Sequence, residues 1–88
     1  MEPASRFFTA ATPPGVYQMD LGASSTLQLP HDVLAPDVRG DAVLVIEVAS
    51  LAPQRFQQWE LRAVEAGQTV ISIEVDGRPL SWTLVVTA

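Results

Sequence analysis

The sequence predicts an all-β protein, built as an immunoglobulin-like antiparallel β-sandwich of six to seven strands. Short runs of alternating apolar and polar residues recur at roughly 8–12-residue spacing, and turn residues separate them. No stretch combines helical periodicity with capping residues, and the Val, Ile and Thr content favours strands. The chain contains no Cys, so the disulfide of antibody domains is absent and the fold must be stabilised by packing alone.

The chain of 88 residues is short enough for one domain, which we predict to span residues 16–88 behind an N-terminal arm of residues 1–15. The arm ends in "TPPG", where two prolines and a glycine stop any regular element. Phe7 and Phe8 are large apolar side chains in this arm. We therefore expect either a short edge strand there, or docking of these rings on the core or on a partner.

Two strands with one solvated face follow the arm. In "VYQMDL" the residues Tyr17, Met19 and Leu21 share one face. In "LQLP", residues 27–30, the two leucines share a face and the glutamine lies opposite. Both patterns are typical of strands that cover a core on one side.

The middle of the chain is more apolar. "AVLVIEVA", residues 42–49, has Glu47 as its one charged residue, which predicts a central strand covered on both faces. A turn at Pro53 is expected to follow. Residues 50–67 also contain several good helix formers, so a helix is an alternative there, although alternation from Trp59 onward favours a strand.

The segment "RFQQWELRA" places Trp59 on the same face as Leu61 and Ala63. Phe56 is out of phase with this face, which predicts a bulge near residues 57–58. Trp59 is accordingly expected in the core.

The pattern of the C-terminal part predicts a hairpin. "TVISIEV" alternates, "DGRP" (residues 76–79) supplies an Asp-Gly turn, and "LSWTLVVT" alternates again with Trp82 on its apolar face. We expect Trp82 in the core. Because "LSWTLVVTA" carries no charge, we also expect this strand to be paired or covered rather than exposed at an edge.

The composition excludes several classes of partner. The net charge is −5, and the five basic residues are scattered arginines without any lysine, so no basic stripe is available for nucleic acid. No apolar run approaches the roughly 18–20 residues of a membrane span, and the N-terminus lacks the apolar core of a signal peptide. The Arg-only, Ala-rich and Val-rich usage is typical of high-GC bacterial genomes, while the compartment is left undecided.

No catalytic, cofactor or metal site is predicted. Nucleophilic catalysis needs a base beside the nucleophile, and His31 is the one histidine in a chain without Cys. The carboxylates of Asp32, Asp37 and Asp41 lie near it in sequence and would suit Ca²⁺, but they are too sparse for a calcium loop and Pro36 interrupts them. We therefore interpret them as solvated loop acids.

The tripeptide Arg39-Gly40-Asp41 matches a cell-adhesion motif. Adhesion motifs of this type sit at the tip of an exposed loop, whereas Asp41 directly precedes the apolar run that begins at Ala42. Gly40 supplies backbone freedom at that junction. The sequence thus favours a turn leading into a strand.

The segment "WELRAVEAGQTVISIEVDGRP", residues 59–79, resembles the chagasin-type inhibitors of papain-like cysteine peptidases, which are small immunoglobulin-like domains. "LQLP" is similar to the strand that leads into the inhibitory loop of that family, and Arg78-Pro79 match the Arg-Pro of its third loop. The chain departs from the family in two places. "HDVLAPDVRGD", residues 31–41, replaces the Asn-Pro-Thr-Thr-Gly-Tyr motif, and "LSW" follows where Trp-Glu is expected.

Two functions follow as expectations. The first is a non-catalytic protein-binding module with a structural or assembly role, of bacterial immunoglobulin-like type, in which strand edges could also pair two copies of the chain. The alternative, implied by the resemblance, is an inhibitor of papain-family cysteine peptidases whose neighbouring loops block the cleft. We predict that the surface for a protein partner is either an exposed strand edge or the loop of residues 31–41 together with the hairpin of residues 76–79. The residues predicted to contact the partner are His31, Asp32, Asp37, Arg39, Asp41, Asp76, Arg78 and Pro79.

Overall fold

The computed structural model describes residues 2–4, 6–49 and 55–88, and it confirms the immunoglobulin-like β-sandwich. Nine strands form two sheets in the described residues; beyond the predicted strands, these include the very short β1 and β5. The strands are β1 (Glu2–Pro3), β2 (Phe7–Thr9), β3 (Gly15–Asp20), β4 (Ser24–Pro30), β5 (Asp37–Arg39), β6 (Val43–Val48), β7 (Phe56–Ala63), β8 (Gly67–Val75) and β9 (Arg78–Thr87).

The first sheet has the strand order β1-β3-β9-β8-β5, and the second has the order β2-β4-β7-β6. Strands β4 to β9 pair with one another in antiparallel fashion, as predicted. The pairs β1–β3, β2–β4 and β3–β9 are parallel. All three parallel pairs involve N-terminal strands, because this part of the chain contributes to both sheets instead of forming a hairpin within one.

The core lies between the two sheets, and the period-two alternation identifies most of it. Trp59 and Trp82 are 4% and 1% exposed, which confirms both as core residues. Phe8 lies edge-on to Trp82 and to Tyr17, with ring centroids 5.7 and 5.2 Å apart. The other buried apolar residues are Met19, Leu27, Leu29, Ala42, Val43, Leu61, Ala63, Ile71, Ile73, Leu84 and Val86.

The prediction that residues 42–49 form a central strand is wrong. Strand β6 pairs with β7 on one side and forms the edge of the second sheet. Leu44 and Ile46 are 48% and 40% exposed on its outer face. Only one face of β6 therefore contributes apolar residues to the core, because each sheet of a sandwich is covered on one face.

Two smaller expectations are also wrong. Strand β7 pairs with β4 one residue for one residue from Phe56 to Arg62, so the expected bulge near residues 57–58 is absent. Leu21 is half-exposed rather than buried, because β3 ends at Asp20 and Leu21 begins the turn that contains Gly22. Where a helix was the alternative prediction, residue 55 lies in a turn and residues 56–63 form β7. The expected turn at Pro53 lies outside the described residues.

The segment predicted as an arm takes part in both sheets. Strand β1 pairs with β3, and β2 pairs with β4. Phe8 is buried while Phe7 is exposed, so one of the two rings docks on the core. The division between arm and domain at residue 15 stays a prediction.

The C-terminal strand β9 lies between β3 and β8. This position confirms that the uncharged run "LSWTLVVTA" is paired. Within the described residues there is no helix, and hence none long and apolar enough to cross a membrane.

Candidate functional site

Three described connections meet at one end of the sandwich, which we call the loop end. They are residues 10–14, residues 31–36 and the turn 76–77. Their common location follows from the pairing: Pro30 at the end of β4 opposes Phe56, where the connection from β6 arrives, and β5 begins opposite Ser72, close to the end of β8. Residues 50–54, which lie within the connection between β6 and β7, are outside the described residues.

The turn 76–77 joins β8 and β9 as predicted. Asp76 has φ 52° and Gly77 has φ 77°, so both central residues adopt positive φ as in a type I′ hairpin turn. Asp and Gly tolerate this conformation better than most residues, which explains why the tight turn forms here. Arg78 and Pro79 follow the turn and are exposed.

The segment 31–36 is held in a defined shape by hydrogen bonds. The backbone N–H of Val33 donates to the carbonyl oxygen of Pro30 at 3.1 Å and closes a turn. The side-chain Nε2 of Gln57, on β7, donates to the carbonyl oxygens of His31 at 3.0 Å and Val33 at 2.9 Å, with a longer contact of 3.4 Å to Pro30. One amide group therefore satisfies several carbonyls of the loop.

Leu34 projects from this segment. The residue is 80% exposed, although Val33 before it packs against the core and Pro36, two positions later, is half-buried. The segment thus presents one large apolar side chain to solvent between two anchored residues.

The third connection, residues 10–14, was not identified as part of a site from the sequence. The indole N–H of Trp82 donates to the carbonyl oxygen of Thr12 at 3.2 Å, and the hydroxyl of Tyr17 donates to that of Pro13 at 2.6 Å. A shallow groove lies between Ala10 and the residues that flank the hairpin turn. Phe8 is the sequence feature that could have identified this segment, because burial of its ring in the core holds the following residues at the loop end.

The predicted contact residues divide between the two ends of the sandwich. His31, Asp32, Asp76, Arg78 and Pro79 lie at or beside the loop end and are all exposed. His31, Asp32 and Asp76 belong to connections at this end, and Arg78 and Pro79 begin β9 beside them, so these residues can contribute to one surface.

Asp37 and Arg39 lie on β5, and Asp41 lies at the opposite end of the sandwich. Asp37 and Arg39 form an exposed ion pair of 3.3 Å. Gly40, which has φ 116°, packs against Thr69 at the start of β8. Six residues of strand separate that point from the hairpin turn, a distance of about 20 Å. The predicted loop of residues 31–41 is therefore not a single surface.

The Arg-Gly-Asp tripeptide adopts the predicted turn. Arg39 ends β5, Gly40 takes a positive φ, and the chain enters β6 at Val43. A side chain at position 40 would place its Cβ 2.5 Å from the carbonyl oxygen of Gln68. The glycine is thus required by backbone geometry.

The described residues contain no group of three or more His, Asp or Glu residues close enough to hold a metal ion. His31 is exposed and hydrogen-bonds through its carbonyl oxygen. Arg78 is exposed at the loop end and forms no ion pair with any described residue.

No protein-family model and no curated protein matches the sequence. Among solved structures, the cysteine protease inhibitor EhICP2 from Entamoeba histolytica is similar, with a TM-score of 0.70, 12% identity, and coverage of 92% of this chain and 93% of that chain. Amebosin has a TM-score of 0.52 and 9% identity, over 92% and 96% of the two chains. PbICP-C, solved in complex with falcipain-2, has a TM-score of 0.44 and 8% identity over 94% and 98%, which is too remote to carry an argument.

At these identities the likeness concerns the fold. It confirms that the chain resembles chagasin-type inhibitors as an immunoglobulin-like sandwich. It also corrects the first functional expectation: the prediction of a bacterial structural or assembly module is wrong, because the similar fold with a named activity is that of a cysteine protease inhibitor. Strand alternation alone does not distinguish the two, since both are sandwiches and differ in their loops.

Proposed function

We propose that this protein inhibits papain-family cysteine peptidases by inserting its loop end into the substrate cleft. The fold likeness to EhICP2, which is named as a cysteine protease inhibitor, supports this proposal. So does the match of Arg78-Pro79 to the Arg-Pro of the third loop in chagasin-type inhibitors, because these residues lie directly after the hairpin turn.

The observation that carries the proposal is the shape of the loop end. Two connections, the turn 76–77 and residues 31–36, are fixed by the fold before any partner arrives, one by a tight turn and the other by Gln57. Fixed loops lose little conformational entropy on binding, which is how protease inhibitors reach high affinity from interfaces of ordinary size. A wedge of this kind blocks a cleft without any covalent step.

The proposed contact surface is a subset of the residues predicted from sequence. His31 and Asp32 contribute from residues 31–36, Asp76 from the hairpin turn, and Arg78 and Pro79 from the start of β9. Residues 31–36 follow "LQLP", which is similar to the strand that leads into the inhibitory loop of the family, but they lack the Thr-Thr-Gly-Tyr sequence of that loop. Their contacts with a peptidase would therefore differ in chemistry from those of the family. Asp37, Arg39 and Asp41 are not assigned to this surface.

The test is inhibition of papain, measured with a fluorogenic peptide at several substrate concentrations. The proposal predicts competitive inhibition with a constant below about 1 µM, an affinity of about 8 kcal/mol. Trypsin, a serine peptidase with a different cleft, serves as the control and should be unaffected. Full papain activity in the presence of this protein at ten times that concentration would refute the proposal.

One observation favours a second interaction, the pairing of two copies of the chain. Strand β6 is an edge strand of six residues with Leu44 and Ile46 exposed, whereas the other described edge strands have two or three residues. Long apolar edges are templates for strand addition. Light scattering at increasing protein concentration tests this pairing, and a constant monomer mass would exclude it.

A further inference from the structure

Leu34 stands out among the exposed apolar residues. The residue is 80% exposed, whereas the next largest exposed fraction among the described large hydrophobic residues is 55%, at Phe7. The position belongs to the loop end, and the neighbouring residues His31 and Asp32 are exposed and polar. An apolar side chain with polar neighbours has the composition of an interface anchor, in which one group is buried and its surroundings exclude water.

The backbone on both sides of Leu34 is fixed. On its N-terminal side, Gln57 Nε2 holds the carbonyl oxygen of Val33 at 2.9 Å. On its C-terminal side, the ring of Pro36 restricts the backbone, and Asp37 begins β5 opposite Ser72. Because both ends are held, little backbone freedom is left to lose when the side chain enters a pocket.

We propose that Leu34 is the principal anchor of the loop end, and that it enters an apolar subsite in the cleft of the peptidase. This inference rests on the proposed function and adds the chemistry of the partner to it. The peptidases bound best are those whose cleft offers a pocket lined by apolar side chains next to the catalytic residues. A cleft with a charged or filled subsite at that point is bound poorly, since the isobutyl group would meet no apolar surface there.

The experiment compares inhibition constants for papain among variants of the full chain. Leu34→Ala should weaken inhibition by about 10–100-fold, as truncation of an interface anchor does. Leu34→Asp should weaken it further, because a carboxylate would be desolvated in the pocket. Leu34→Met keeps the apolar volume and should inhibit within about threefold of the wild type.

Leu21→Ala is the matched control, since Leu21 is also exposed but lies in the turn at the opposite end of the sandwich. It should inhibit like the wild type. Thermal unfolding of each variant separates binding from folding, and the Leu34 variants should keep the wild-type Tm because the side chain makes little contact within the protein.

The outcomes distinguish the two proposals. If the wild type inhibits papain and Leu34→Ala is equally potent at an unchanged Tm, the anchor is refuted while the proposed function stands. Equal losses in Leu34→Met and Leu34→Asp would also refute it, because recognition would then not depend on apolar character. If the wild type does not inhibit papain, both proposals fail.

Discussion

The side-chain amide of Gln57 lies 2.9 Å from the carbonyl oxygen of Val33, 24 residues earlier in the chain. This contact connects a strand of the second sheet to the connection that leads into the first. It gives the loop before β5 a fixed shape without a regular element. The candidate site therefore depends on a residue that is itself within a strand and not in a loop.

Replacing Gln57 by Glu should weaken inhibition of papain by about 10-fold, because a carboxylate cannot donate to the loop carbonyls and would repel them. The free energy of unfolding should fall by only about 1 kcal/mol, since the lost hydrogen bonds are partly solvated. Gln58→Glu is the control, as it makes the same charge change on the opposite face of β7. Equal inhibition by both variants would contradict a role for Gln57 in shaping the loop.

Gly40→Ala should destabilise the fold by about 2–4 kcal/mol, through positive φ and through contact of the new Cβ with the carbonyl oxygen of Gln68. Gly22 also has a positive φ, of 89°, but has open space around it. Gly22→Ala should therefore cost about 1–2 kcal/mol. Urea unfolding of the two variants gives the comparison, and a larger loss at Gly22 would show that packing at Gly40 is not the deciding factor.

Thr69→Val should cost about 1–3 kcal/mol. The hydroxyl of Thr69 accepts a buried hydrogen bond of 3.0 Å from the N–H of Val43, which joins the two sheets, and the valine would leave that N–H without a partner. Thr83→Val, on the half-buried outer face of β9, is the control and should change stability by less than about 0.5 kcal/mol. The same urea series measures both, and similar losses in the free energy of unfolding would show that the Thr69 hydrogen bond does not stabilise the fold.

Ile46→Lys should reduce association at high protein concentration without lowering the Tm by more than a few degrees. The side chain lies on the exposed face of the edge strand β6, so the charge is solvated in the monomer and opposes edge pairing. Light scattering together with thermal unfolding checks both parts. A large fall in Tm would mean that this face is covered within the monomer.

Period-two alternation predicted the buried faces of β7 and β9 because their side chains divide cleanly between a core face and an outer face. Trp59 and Trp82 were placed correctly for that reason. The same reasoning failed at β6, where apolar residues occupy both faces and composition cannot tell a central strand from an edge. Position in a sheet is set by pairing with distant segments, which a local pattern does not contain.

Only the part of the site that depends on residues adjacent in sequence could be predicted from the sequence. The Asp76-Gly77 turn follows from the conformational preferences of two adjacent residues. By contrast, the contact of Trp82 with Thr12 joins residues 70 positions apart, and the contact of Gln57 with its loop is also long-range. Nothing in the sequence near Thr12 or Gln57 marks these partners. Local sequence also does not show that β5 lies between residues 31–36 and Asp41. The prediction that residues 31–41 form one surface therefore failed, because the fold places residues 31–36 and Asp41 at opposite ends of the sandwich.

Calorimetric binding of the wild-type protein to papain in two forms tests directly whether the loop end enters the substrate cleft. In one form the cleft is open, and in the other it is filled by a covalently attached peptide inhibitor. Insertion of the loop end predicts a 1:1 complex with open papain, with a Kd below about 1 µM, and no measurable binding to the filled form. Equal binding to both forms, or none to the open form, would show that the loop end does not enter the cleft.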